Sequence, residues 1–204
     1  MPFLSGLVKS PAVLALIAVL VIVFVAQLAT PGLGDRLSLP GSAADLGDRP
    51  WSPLTVMFVH DNIVHLVVMV VMLAGFGALL EQRARSVDVV AVYLIAGLAG
   101  SLAVVATLAA FETDGTLVGA SAAVFGVAAA ALVMRPSSRI LGGTATQWLV
   151  ALVAINIVFL LSQPLSSVAH LTGVAVGVAY GSVLMQGTRA NPATSDAGLF
   201  DGAA

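Results

Sequence analysis

Few residues in this chain can do covalent chemistry. A serine stands at position 121 within GASAAVFG (residues 119–126), and the three histidines are His60, His65 and His170. A serine hydroxyl is a weak nucleophile at neutral pH until a base takes its proton. A neutral imidazole within hydrogen-bond reach performs that step and later protonates a leaving amine. Ser121 and His170 are therefore a candidate nucleophile and general base for acyl transfer. No Asp or Glu lies in the apolar runs that carry them, so a dyad is expected rather than a triad. The developing oxyanion also needs donors. Ser121 falls near a predicted helix N-terminus, where backbone N–H groups lack partners and the dipole favours negative charge. His65 offers a side-chain donor to the same place. There is no cysteine, which excludes thiolate nucleophiles, thiolate metal sites and disulfides. Three histidines can bind zinc. His60 and His65, however, are five apart, about 140° round a helix, and not the i,i+4 pair of a shared metal face. No metal and no cofactor are expected.

These residues must be positioned by apolar helices. The 204 residues are 59% hydrophobic and 9% charged, against roughly 25% charged in a soluble domain. Too few charges exist to cover a water-facing surface, and the natural solvent is the lipid bilayer. A net charge of -2 gives no basic footprint for nucleic acid. Apolar runs at about residues 11–30, 53–80, 87–111, 117–134, 144–162 and 166–185 predict six membrane-crossing helices, an all-α bundle over residues 1–186. The first run, with Lys9 before it, is too long for a typical signal-peptide core and reads as a retained helix. Residues 187–204, rich in Gly, Ala, Asn and Asp, are predicted to be a disordered tail. The polar stretch 31–50 is long for a structureless connection and suggests a functional or membrane-surface loop.

Six spans place Lys9, Arg83, Arg85, Arg135, Arg139 and Arg189 on one side, with only Arg36 and Arg49 on the other. The positive-inside rule then puts both termini in the cytoplasm of a multi-pass protein of the cell membrane. Spans two, four and six all start at the outer face. His60 and His65, Ser121, and His170 then share a depth on the order of 5–10 Å below the outer surface. Ionisable residues at membrane depth are costly and mark function, although a single one can simply bridge two helices. Span six carries His170, Gly173, Gly177 and Gly181 at spacings of three, four and four. These fall on one helical face that lets a neighbour approach closely. Ala122, Gly126 and Ala129 of span four form a matching small stripe, which predicts contact between the two spans.

Three separated stretches resemble the rhomboid family of intramembrane serine proteases, in its six-helix prokaryotic form. RPWSPLTVMFVHDNIVHLVVMVVMLAGFGALLE (residues 49–81) resembles the family's first-loop end and second helix. GASAAVFG resembles its GxSG nucleophile motif, and AHLTGVAVGVAYG (residues 169–181) its sixth-helix motif. The resemblance covers roughly residues 49–180. It implies that Ser121 is the nucleophile, His170 the base, and His65 an oxyanion donor together with the Ser121 backbone N–H. His60 would shape a water-accessible cavity, and Gly119 is the motif glycine. It further implies that residues 31–52 lie partly in the outer leaflet and that residues 163–167 cap the site.

Two positions depart from the family pattern. Met69 stands where an asparagine often donates to the oxyanion, and Ala122 stands where glycine usually follows the serine. A methyl at 122 is expected to tighten the contact between spans four and six. Asn156 in span five is read as an interhelical hydrogen bond, and Asn62 is left without an assigned role.

Partners implied are transmembrane protein substrates and the bilayer, with no nucleic acid; nothing in the residues sets the oligomeric state. A protease that cleaves transmembrane segments near their outer ends is the leading reading. A related protein that binds membrane proteins without cutting them is the alternative, supported by Met69 and opposed by the intact Ser121 and His170. A transporter is a third, opposed by the single outer level of the polar residues and by the absence of acidic residues deep within the spans.

Overall fold

The computed structural model describes residues 6–111, 119–136, 139–140 and 143–190. Helix α1 is Pro11–Ala29. Pro11 at its first turn supplies a preset φ at no hydrogen-bond cost, and no glycine or proline interrupts the run. Pro31 and Gly32, the latter at φ 77°, turn the chain away. Short helix α2 (Leu33–Leu37), a 3₁₀ turn (Ala43–Asp48) and helix α3 (Ser52–Thr55) follow. The long polar loop therefore has structure of its own. Thr55 Oγ1 donates to Leu37 O at 2.7 Å, and Trp51 Nε1 donates to Arg36 O at 3.0 Å. Leu39 is buried beneath it.

The second apolar run is not one helix from residue 53. After the 3₁₀ turn Val56–Phe58, the chain extends at Val59, and helix α4 begins only at Ile63 and continues to Glu81. Asn62 makes the break, because its side chain accepts the His65 N–H at 3.0 Å and caps the new helix. A π-turn at Leu73–Gly77 lies inside α4. Helix α5 is Ser86–Phe111, α6 is Ser121–Val133, α7 is Ala145–Phe159 and α8 is Pro164–Ala190. Before α7, residues Arg139–Ile140 pair antiparallel with Gly143–Thr144. Thr144 and Gln147 then form a reciprocal capping box at the start of α7.

The result is an all-α membrane bundle. Helices α1, α4, α5 and α8 are long and apolar enough to cross a bilayer, whereas α6 and α7 are shorter apolar helices. Large apolar side chains such as Ile22, Leu28, Val64, Val71 and Val158 are exposed on the outer helices, the pattern of a lipid-facing surface. Helix α6 is the opposite case. Of its residues only Phe125 and Val133 are not buried, and α8, α5 and α4 all pack against it. Its sequence SAAVFGVAAAALV explains this, since alanine and glycine let neighbouring backbones close in. The expected tail lies outside the described residues from position 191, while α8 continues through 187–190. Residues 164–167, within the expected cap, form the first turn of α8, started by Pro164.

One carboxylate joins three elements at the far end of α4. Glu81 Oε1 and Oε2 accept the Ala12 and Val13 backbone N–H groups at 2.9 and 3.1 Å, and the Ser86 hydroxyl donates to Oε1 at 2.6 Å. It thereby satisfies two of the free donors at the N-terminus of α1 and complements its dipole. Leaving such donors unpaired costs about 1–3 kcal/mol. Glu81→Ala should therefore lower stability by about 2 kcal/mol and Glu81→Gln by less, as read from denaturation midpoints in detergent.

Candidate active site

Ser121 is the first residue of α6, and the two residues before it decide what stands beside it. Gly119 has φ 123°, a conformation side chains rarely adopt, and its N–H donates to Val56 O at 3.4 Å. A Cβ at Gly119 would collide with the His65 imidazole, reaching Nε2 at 3.0 Å and Cε1 closer still. The motif glycine is thus the floor on which His65 rests, two residues before the start of α6. Ser121 is 7% exposed, and its hydroxyl has no hydrogen-bond partner among the described residues.

His65 sits in the first turn of α4, half-buried, with Nδ1 3.8 Å from the exposed Asp61 carboxylate. His60 does not share its helix. It lies in the extended segment before α4 and is buried, and its ring meets that of His65 edge-on at 5.2 Å. The angle computed for two residues on one helix therefore does not apply to this pair. Gln27 of α1 holds the His60 backbone at both ends. Its Nε2 donates to His60 O at 3.1 Å, and its Oε1 accepts the His60 N–H at 3.2 Å. Gln27 was detectable as the one amide in an otherwise apolar span. A cavity of about 600 Å³ lies beside His60, lined also by Gln27, Asp35, Asp61 and Asn62.

His170 is reached through the glycine stripe of α8. A Cβ on Gly173 would strike the Ala122 carbonyl, one on Gly177 the Gly126 carbonyl, and one on Gly181 would meet Ala130 Cα at 2.9 Å. Each step of four on α8 matches a step of four on α6, so the helices run parallel with backbones in contact. Ser121 precedes Ala122 by one residue and His170 precedes Gly173 by three, which brings both to the same end of this contact. The His170 ring stacks on Phe125, with centroids 4.4 Å apart and planes 8° from parallel. Phe125 follows Ser121 by one helical turn on the same face of α6. At the ring's edge, Nδ1 is 2.7 Å from Asn156 Oδ1 of α7. The expected interhelical bond of Asn156 is thus made to the candidate base itself.

Both departures have a clear environment. Met69 is buried in the apolar core one turn after His65, where it has no proton to donate. Asn62 caps α4 by its carbonyl oxygen. The Ala122 methyl lies in a buried cluster with Ala169 of α8. It points to α5, where a Cβ at Gly100 would lie 2.7 Å from it and 3.0 Å from Ala169 O. Gly100 therefore makes room for the methyl that this chain has in place of hydrogen. Gly100→Ala should cost about 1–3 kcal/mol through overpacking. Ala122→Gly in the same chain should recover part of that loss, a coupling measurable by a double-mutant cycle on detergent stability.

Residues 47–187 match the Rhomboid domain family. "RHOMBOID-like protein 7" of Arabidopsis thaliana is 30% identical over 138 residues, covering 66% of this chain and 43% of that protein. "RHOMBOID-like protein 2" of the same plant is 31% identical over 138 residues, covering 66% and 42%. "RHOMBOID-like protein 6, mitochondrial" is 29% identical over 151 residues, covering 68% and 45%. The chain spans less than half the length of each of these relatives. With the family match extending across most of the chain and the apolar helices that carry it, this multi-pass membrane protein belongs to the rhomboid family.

Proposed function

We propose that this chain is an intramembrane serine endopeptidase that hydrolyses peptide bonds in or near transmembrane segments of other membrane proteins. The observation that carries this reading is the convergence of three groups on the N-terminus of one buried helix. Ser121 opens α6, His170 is stacked one turn along the same helix face, and His65 stands on Gly119. In the reaction, Ser121 Oγ attacks the substrate carbonyl carbon and its proton passes to His170 Nε2. The oxyanion takes hydrogen bonds from the Ser121 N–H and from His65. Collapse expels the amine, which leaves with the proton from the imidazolium. Water, deprotonated by the same imidazole, then hydrolyses the ester and frees the serine. The Ser121–His170 hydrogen bond is expected to close when substrate enters, since such bonds are often loose without it. The basic residues favour cytoplasmic termini in six spans of the cell membrane, with cleavage near the outer face. A substrate helix must unwind to present a carbonyl, so helix-destabilising residues near the cut favour cleavage.

The second reading, a rhomboid-like protein that binds membrane proteins without cutting them, draws on Met69. Losing one oxyanion donor costs on the order of 10²–10³ in rate in a soluble serine protease.

Purified protein in liposomes treated with a fluorophosphonate probe should be labelled, with labelling lost in Ser121→Ala and in His170→Ala. Absence of labelling in folded wild type would sink the protease reading in favour of the second. Met69→Asn is expected to raise the cleavage rate of a transmembrane peptide, by up to about 10²-fold, with little change in KM; an unchanged kcat would mean that other donors already hold the oxyanion.

A further inference from the structure

We infer that Asn156 is a positioning residue for the general base, selecting the His170 tautomer whose Nε2 accepts a proton. The inference rests on the protease reading, but it has a readout of its own. Asn156 is 1% exposed, the buried polar residue of an otherwise apolar stretch of α7. Its Nδ2 donates to Leu152 O, one turn back on the same helix, at 2.7 Å. A carbonyl accepts only, so the amide must keep its nitrogen there and turn Oδ1 outward. That oxygen lies 2.7 Å from His170 Nδ1. Two acceptors do not bond one another, so Nδ1 carries the hydrogen. A neutral imidazole has one N–H, and Nε2 is therefore left with its lone pair. This is the form a base must have to take the Ser121 proton.

The same contact fixes the ring's direction. Phe125 covers one face at 4.4 Å and Asn156 pins the edge. Rotation about χ2 that would exchange the two nitrogens breaks the Asn156 bond and leaves a buried amide oxygen unpaired. The partner is a neutral amide, and a carboxylate at this depth would carry a large desolvation cost. Neutral Asn156 orients the ring without adding a charge to the apolar site. Among the described residues, the other titratable group acting on His170 is His65.

The test compares wild type with Asn156→Leu and Asn156→Asp in liposomes. Asn156→Leu keeps the volume and removes the acceptor; kcat on a transmembrane peptide should fall about 10²-fold with KM little changed. Asn156→Asp keeps an acceptor. It loses the donor to Leu152 O and is expected to fold less well; in the folded fraction the acid limb of the kcat/KM profile should move to higher pH, since a carboxylate favours imidazolium. Imidazole ¹⁵N NMR supplies the independent measurement. His170 should show a protonated Nδ1 and an unprotonated Nε2 in wild type and a tautomer mixture in Asn156→Leu. A Leu variant with wild-type kcat and an unchanged tautomer overturns the inference, as does a loss of activity that only tracks loss of folded protein. If wild type is neither labelled nor active while the tautomer still depends on Asn156, the protease reading fails and the positioning of His170 by Asn156 stands.

Discussion

Direct backbone contact between α6 and α8 is the constraint on which the rest depends. Gly173 and Gly177 stand where any side chain would enter a carbonyl of α6, at Ala122 and Gly126. In a bilayer the association of helices gains little from the hydrophobic effect and relies on close packing. Glycines at intervals of four make that packing continuous over two turns. The axial register follows from it: if α8 slid by one residue, the glycines would no longer face the carbonyls. Register in turn brings His170 to the level of Ser121 and allows the Phe125 stack.

The second constraint is that irregular backbone at membrane depth must find partners within the protein. The segment before α4 meets it through specific bonds. Gln27 satisfies both backbone groups of His60, Asn62 caps α4, and the Tyr93 hydroxyl donates to Met57 O at 2.7 Å. These bonds hold His60 and His65 in an edge-on pair and leave the His65 ring free to lie over Gly119. At the other end of the same helix, Glu81 ties the starts of α1 and α5 to α4. Polar side chains are few in this bundle, and those named here form bonds where a helix starts or the chain breaks.

The two departures from the family pattern differ in physical kind. Ala122 is a packing change, met by a hydrogen in place of a side chain at Gly100. Met69 is a chemical change, removing a proton donor from beside His65 and filling the space with an apolar chain buried in the core. In the proposed reaction the second would remove one source of oxyanion stabilisation.

What the sequence determined by itself is local and periodic. The apolar runs and the stripe at Gly173, Gly177 and Gly181 could be read directly, because hydropathy and helical period depend on neighbours along the chain. The Gly119 and Ser121 motif was legible through its resemblance to the family pattern. The break at residues 59–62 was not, since apolar residues flank it and the short polar run 60–62 also fits the polar end of a longer helix. Tertiary structure alone decided that Gln27 meets His60, that Asn156 meets His170, that Phe125 lies under the imidazole, and that the Ala122 methyl turns to Gly100. Each of these depends on how a helix is rotated about its own axis. In a helix apolar on all sides that rotation leaves no trace in the residue pattern, because lipid and protein interior select the same side chains.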